Sequence, residues 1–96
     1  MPGNLRWGGK HVDLLQKPIT KALRQVGCSV SATHMVGKGF VDLVAWSPFT
    51  RATHMIEVKT GTEPLSRSEQ KFHAKWAGPI AIVRSIDEAL VAIGVR

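Results

Sequence analysis

The chain has 96 residues, enough for one domain, and its 44% hydrophobic content allows a packed core. A single cysteine, Cys28, excludes an internal disulfide, and no segment has the length of a membrane span. Thirteen Lys and Arg against seven Asp and Glu give a formal charge of +6, which suits a polyanionic partner, nucleic acid above all. A solvated basic surface would account for the same balance.

Residues 1–10 combine Pro2, Gly3, Gly8 and Gly9 with Arg6 and Lys10, and read as a flexible basic arm ahead of a domain at 11–96. They hold no apolar stretch like a secretory signal, so a cytoplasmic location is expected. Residues 12–26 predict a helix, with Leu15, Ile19, Ala22, Leu23 and Val26 at helical spacing and Gly27 as the stop. Pro18 either starts the regular part of that helix or kinks it.

Three strands follow. Residues 28–34 alternate, with Cys28, Val30, Ala32 and His34 on one side. Gly37-Lys38-Gly39 is a turn, and residues 40–46 are apolar apart from Asp42. Residues 47–53, with Pro48, form a hairpin loop into a strand at 54–60. Ser66 with Glu69 is a capping box opening a second helix, on which Phe72 and Trp76, four apart, face the core. Gly78-Pro79 ends it. Residues 80–84 are a short buried strand, and Ser85 with Glu88 caps a last helix ending at Gly94. The order α-β-β-β-α-β-α predicts a mixed central β-sheet flanked by helices, with the strand at 80–84 parallel to the one at 54–60 through a right-handed crossover.

Asp42 and Glu57 are the residues that carry chemistry. Each is bracketed by apolar neighbours in a β-segment, where an ionised carboxylate is costly unless paired or bound to a cation. Glu57 and Lys59, two apart, share a strand face. If the two strands pair, the carboxylates converge into an oxygen-rich site suited to Mg2+ or Mn2+, with Lys59 placed to stabilise developing negative charge. The plainer alternative is a Glu57–Lys59 salt bridge on an exposed strand, with Asp42 capping a turn.

Gly39-Phe-Val-Asp42 followed by Ile56-Glu57-Val58-Lys59 resembles the core of the PD-(D/E)xK nuclease superfamily, and more closely its VRR-NUC type, over about residues 11–93. Val41 stands where that family usually carries proline. The resemblance implies a restriction-endonuclease-like α/β fold and a Mg2+- or Mn2+-dependent DNA endonuclease, structure-selective in the manner of Holliday-junction resolvases and acting as a homodimer. It implies Asp42, Glu57, the Val58 carbonyl and Asp13 as metal ligands. Gln70, on the helix after the lysine strand, joins Asp42, Glu57 and Lys59 as a catalytic residue, and Asp13 and Gln16 open the first helix. The alternative function is a catalytically weak DNA-binding module of the same fold.

Lys10, Lys38 and Lys71 lie near the site segments and are candidate DNA contacts. His73 shares the face of Gln70 and is either a DNA contact or a surface residue. His34 and His54 read as packing or surface residues, since no His/Cys spacing suggests zinc. Trp46 and Trp76 are expected in the core, and Trp7 over the core or a partner subunit.

Overall fold

A computed structural model describes residues 14–95. The elements are α1 (Gln16–Gln25), β1 (Ser29–Ala32), a 3-10 turn (His34–Val36), β2 (Leu43–Ser47), β3 (Ala52–Val58), α2 (Arg67–Lys75), β4 (Ala81–Val83) and α3 (Ile86–Ala92). The arm at 1–10, with Trp7 and Lys10, lies outside the described residues, as does Asp13. Among the described residues no helix is long and apolar enough to cross a membrane.

The element order is the expected one, and the molecule is an α/β protein with a mixed four-stranded sheet. The strands lie in the order β1-β2-β3-β4; the first two pairings are antiparallel and β3–β4 is parallel. The parallel pair follows from the α2 crossover, which reverses the chain before it re-enters the sheet.

Within the described residues α1 begins at Gln16, later than the periodicity suggests. Pro18 therefore sits in the first turn, where its missing N–H has no intrahelical acceptor to lose. At Gly27 (φ 101°) the chain leaves the helix, and the Cys28 N–H bonds back to the Leu23 carbonyl. The third strand starts two residues earlier than predicted, at Ala52. The Ser47 hydroxyl explains how the hairpin is held: it donates to the Ile93 carbonyl at 2.6 Å and accepts from the Phe49 N–H at 3.1 Å. Only half of the second capping box forms. Ser85 accepts from the Glu88 N–H at 3.0 Å, but the Glu88 carboxylate turns to the Arg84 N–H.

One face of the sheet is apolar. Leu43 and Ala45 of β2, Ile56 and Val58 of β3 and Val83 of β4 cluster with Ile19 and Leu23 of α1, and with Ala89 of α3 and the following Ile93. Cys28 belongs to this cluster; burial pushes its thiol pKa up, although a Ser47 hydrogen bond works the other way, so it is a packing residue. By strand alternation Asp42, Val44 and Trp46 fall on the opposite face, with Met55, Glu57 and Lys59. That parity corrects the expectation for Trp46, which is 43% exposed. Trp46 pairs with Thr53 at the hairpin end of the sheet. Trp76 is also 43% exposed, so it is not a core residue either.

Candidate active site

Leu43 and Ile56 are the last partners of the β2–β3 ladder, and Asp42 and Glu57 adjoin them, close enough for the Asp42 carboxyl to act on that of Glu57. The Asp42 backbone, just ahead of β2, bonds to the segments on both sides, its N–H donating to the Ile56 carbonyl at 3.2 Å and its carbonyl accepting from the Thr33 N–H at 2.7 Å. The Asp42 carboxylate takes the Val58 N–H at 2.8 Å, which anchors it across the strand next to Glu57.

These side chains line a cleft of about 490 Å3 between the end of the hairpin sheet and the start of α2. Its walls include Lys38, Gly39, Asp42, Glu57, Val58, Lys59, Glu63, Ser66 and Glu69. The Gly37-Lys38-Gly39 turn brings the hairpin to α2. Gly39 (φ 81°) packs so closely that a Cβ there would collide with the Ser68 carbonyl, so no larger residue fits without moving the helix.

Glu57 is fully buried, and no N–H or hydroxyl of the described residues donates a hydrogen bond to its carboxyl oxygens. Burial, then the hydrogen bond and charge of Asp42, then Glu69, push its pKa up to about 9. Glu69 behaves in the opposite way. Burial alone would raise it, but the Lys59 ammonium at 2.7 Å and the Ser66 N–H at 2.8 Å bring it down to about 2.

Lys59 points into the cleft beside Glu57, as strand alternation requires. The simple strand-face salt bridge does not form: the Lys59 ammonium bonds to Glu69, with Glu63 at 3.7 Å. Burial lowers the Lys59 pKa, but the three glutamates outweigh it and the net direction is up.

The structure brings together Asp42, Glu57, the Val58 backbone, Lys59 and Lys38. Gln70 is not among them. It is exposed on α2, and its amide donates to the Leu65 carbonyl at 3.0 Å. The helix residue that reaches the cleft is its neighbour Glu69, which a sequence reading takes only as the second half of a capping box. The capping box does form, and the same Glu69 oxygen that accepts the Ser66 N–H holds Lys59.

His73 is likewise corrected. It is one turn beyond Glu69, its side chain is only 15% exposed, and its Nε2 lies 3.5 Å from a Glu57 oxygen. Burial lowers its pKa, opposed by Glu69 and aided by Lys59, and the ring covers Glu57. Lys71 is exposed, away from the cleft proper. Gln16 is buried at the start of α1, its amide against His34 Nδ1 at 3.1 Å, which makes His34 a packing residue as expected.

Among the described residues no group of three or more His, Cys, Asp and Glu side chains stands ready to hold a metal ion. What the cleft offers is a pair of adjacent carboxyl groups, one of them fully buried with no N–H or hydroxyl donating to it. Those are hard oxygen donors, of the kind Mg2+ and Mn2+ take together with backbone carbonyls and water. No family model, curated protein or solved structure matches this chain.

Proposed function

We propose that the chain is a divalent-cation-dependent DNA endonuclease of PD-(D/E)xK type, akin to the VRR-NUC nucleases, that hydrolyses phosphodiester bonds. The observation that carries this reading is Glu57: a fully buried carboxyl group set against the Asp42 carboxyl on the wall of the cleft, with no N–H or hydroxyl donating to it. Such a group is expensive to keep unless a proton or a cation neutralises it. Two carboxyl groups kept side by side in such a place have a use for that cation.

Asp42 and Glu57 would hold Mg2+ or Mn2+, with the Val58 carbonyl as a further oxygen; Asp13 lies outside the described residues. Bound there, the ion supplies a water of lowered pKa and neutralises charge on the phosphate. The chain's own residues do the rest. The Val58 N–H fixes the Asp42 carboxylate, His73 keeps bulk water from Glu57, and Lys59 carries a positive charge into the cleft for the developing negative charge. Lys38, on the cleft wall, is placed to take a flanking phosphate. The +6 charge draws DNA to the surface. A homodimer, presenting two such sites to two strands, and a cytoplasmic setting complete the proposal.

One observation favours a second reading, a DNA-binding module with little catalysis. Lys59 is engaged with Glu69 at 2.7 Å and would be idle if that bridge persisted with DNA bound. Incubation with labelled junction, flap, nicked and linear duplexes in Mg2+, Mn2+ or EDTA separates the two. Cation-dependent cleavage lost in Asp42→Asn supports the nuclease. Binding without cleavage of any substrate supports the module.

A further inference from the structure

Beside the cleft lies a second, smaller cavity of about 200 Å3, lined by Lys38, Lys71, Phe72, Lys75 and Trp76. Its aromatic wall is ordered. Phe72 meets Phe40 edge to face at 5.2 Å, and Trp76 stacks on Phe72 at 5.4 Å with 22° between the rings. A Cβ on Gly78 would come within 3.0 Å of the Trp76 indole nitrogen, so the chain at Gly78 passes close beside the edge of the ring. Yet the indole is 43% exposed. An aromatic side chain braced by its neighbours and left open to solvent is a stacking surface with little ordering entropy left to lose.

The three lysines select what lies on it. A second copy would bring like charges together, whereas a partner bearing phosphates meets a complementary surface. Lys38 lines both this cavity and the cleft of Asp42 and Glu57, so one strand can pass from one to the other. Aromatic rings beside lysines are the combination that binds single strands, because every base has a face to stack and every nucleotide a phosphate. A base inside a continuous duplex has no free face.

We propose that Trp76 stacks an unpaired base of the DNA strand whose phosphate enters the cleft, so that DNA with a single-stranded stretch beside the scissile bond is favoured over continuous duplex. The proposal rests on the nuclease reading for its second half and on the aromatic shelf for its first.

The test is done in EDTA, where no cleavage intervenes. In the Trp7→Phe, Trp46→Phe protein the only indole is Trp76, and it is titrated with a twelve-residue oligothymidylate and with a blunt duplex of equal length. The oligothymidylate should quench the indole and the duplex should not. In the otherwise unaltered chain, Trp76→Ala should weaken oligothymidylate binding roughly five- to hundredfold, and Trp76→Phe by no more than a few-fold. Lys71→Ala, Lys75→Ala should flatten the salt dependence while leaving the quenching at saturation.

Unchanged affinity in Trp76→Ala would overturn the proposal, as would absence of quenching. A dimer that dissociates on Trp76→Ala would overturn it in favour of a second copy, and equal quenching by oligoglutamate in favour of an acidic peptide. Where Trp76→Ala fails to fold, by circular dichroism, the quenching experiment and the lysine pair decide. Quenching without cleavage of any DNA in Mg2+ supports the shelf and counts against the nuclease reading alone.

Discussion

The two faces of the β2–β3 hairpin differ in what they contribute. On one, Leu43, Ala45, Ile56 and Val58 are closed over by α1 and the α3 region, and burial of apolar surface holds the fold together. On the other, reached by moving one residue along either strand, Asp42 and Glu57 are buried as well, and no N–H or hydroxyl of the described residues donates to Glu57. The first face stabilises; the second costs stability wherever it is left without a counter-charge. Adjacent residues in one strand thus serve opposite ends, and the alternation of side chains along a strand is what permits it.

Ile56 and Glu57 are the pair that breaks this comparison most sharply. Ile56→Ala removes a fully buried side chain and should cost about 2–5 kcal/mol. At roughly 4–8 °C per kcal/mol for a domain of this size, that is a large fall in melting temperature. Glu57→Gln should move it the other way in EDTA, because a neutral amide replaces a buried group that must ionise without a donor as pH rises. The sign depends on pH. A Glu57 pKa raised in the folded state to about 9 means that its favourable contribution is complete below the free carboxylate value and is lost as pH rises through about 9. The advantage of Glu57→Gln should therefore grow from pH 5 to pH 9. A metal-free wild type as stable as Glu57→Gln at pH 9 would mean that Glu57 is satisfied by a group outside the described residues.

Lys59 sharpens the same contrast, since it is both a structural partner and the proposed catalytic cation. Lys59→Met should lower turnover about 100- to 1,000-fold, some 2.7–4 kcal/mol. It should also destabilise, because Glu69 is left charged and buried. Adding Glu69→Gln should restore the melting temperature and leave turnover low. Turnover that returns with the melting temperature would reduce Lys59 to the role of an ion-pair partner.

The topology and the meeting of Asp42, Glu57 and Lys59 were legible in the sequence because both rest on a period of two. A carboxylate between two core residues must point to the other face, and the hairpin that pairs Leu43 with Ile56 brings two such carboxyl groups together. The helix was less legible. Its start at Ser66 was readable from the capping box, but which residue turns to the cleft depends on how α2 sits on the Gly39 turn, a tertiary contact. At 100° per residue, an error of one position exchanges Glu69 for Gln70. Glu69 is also hidden by its local role, because the capping box already explains it. Trp46 and Trp76 were misplaced for a related reason: bulk and hydrophobicity suggest burial, but the far end of the charged face is left open, and Trp76 lies on a shelf flanked by lysines.

The central claim is that Asp42 and Glu57 form one cation site, and calorimetric titration of Mn2+ into the metal-free protein tests it most directly. Wild type should bind, and Asp42→Asn and Glu57→Gln, each still folded by circular dichroism, should each lose most of the affinity; Mn2+ binding unchanged in both variants would contradict the site.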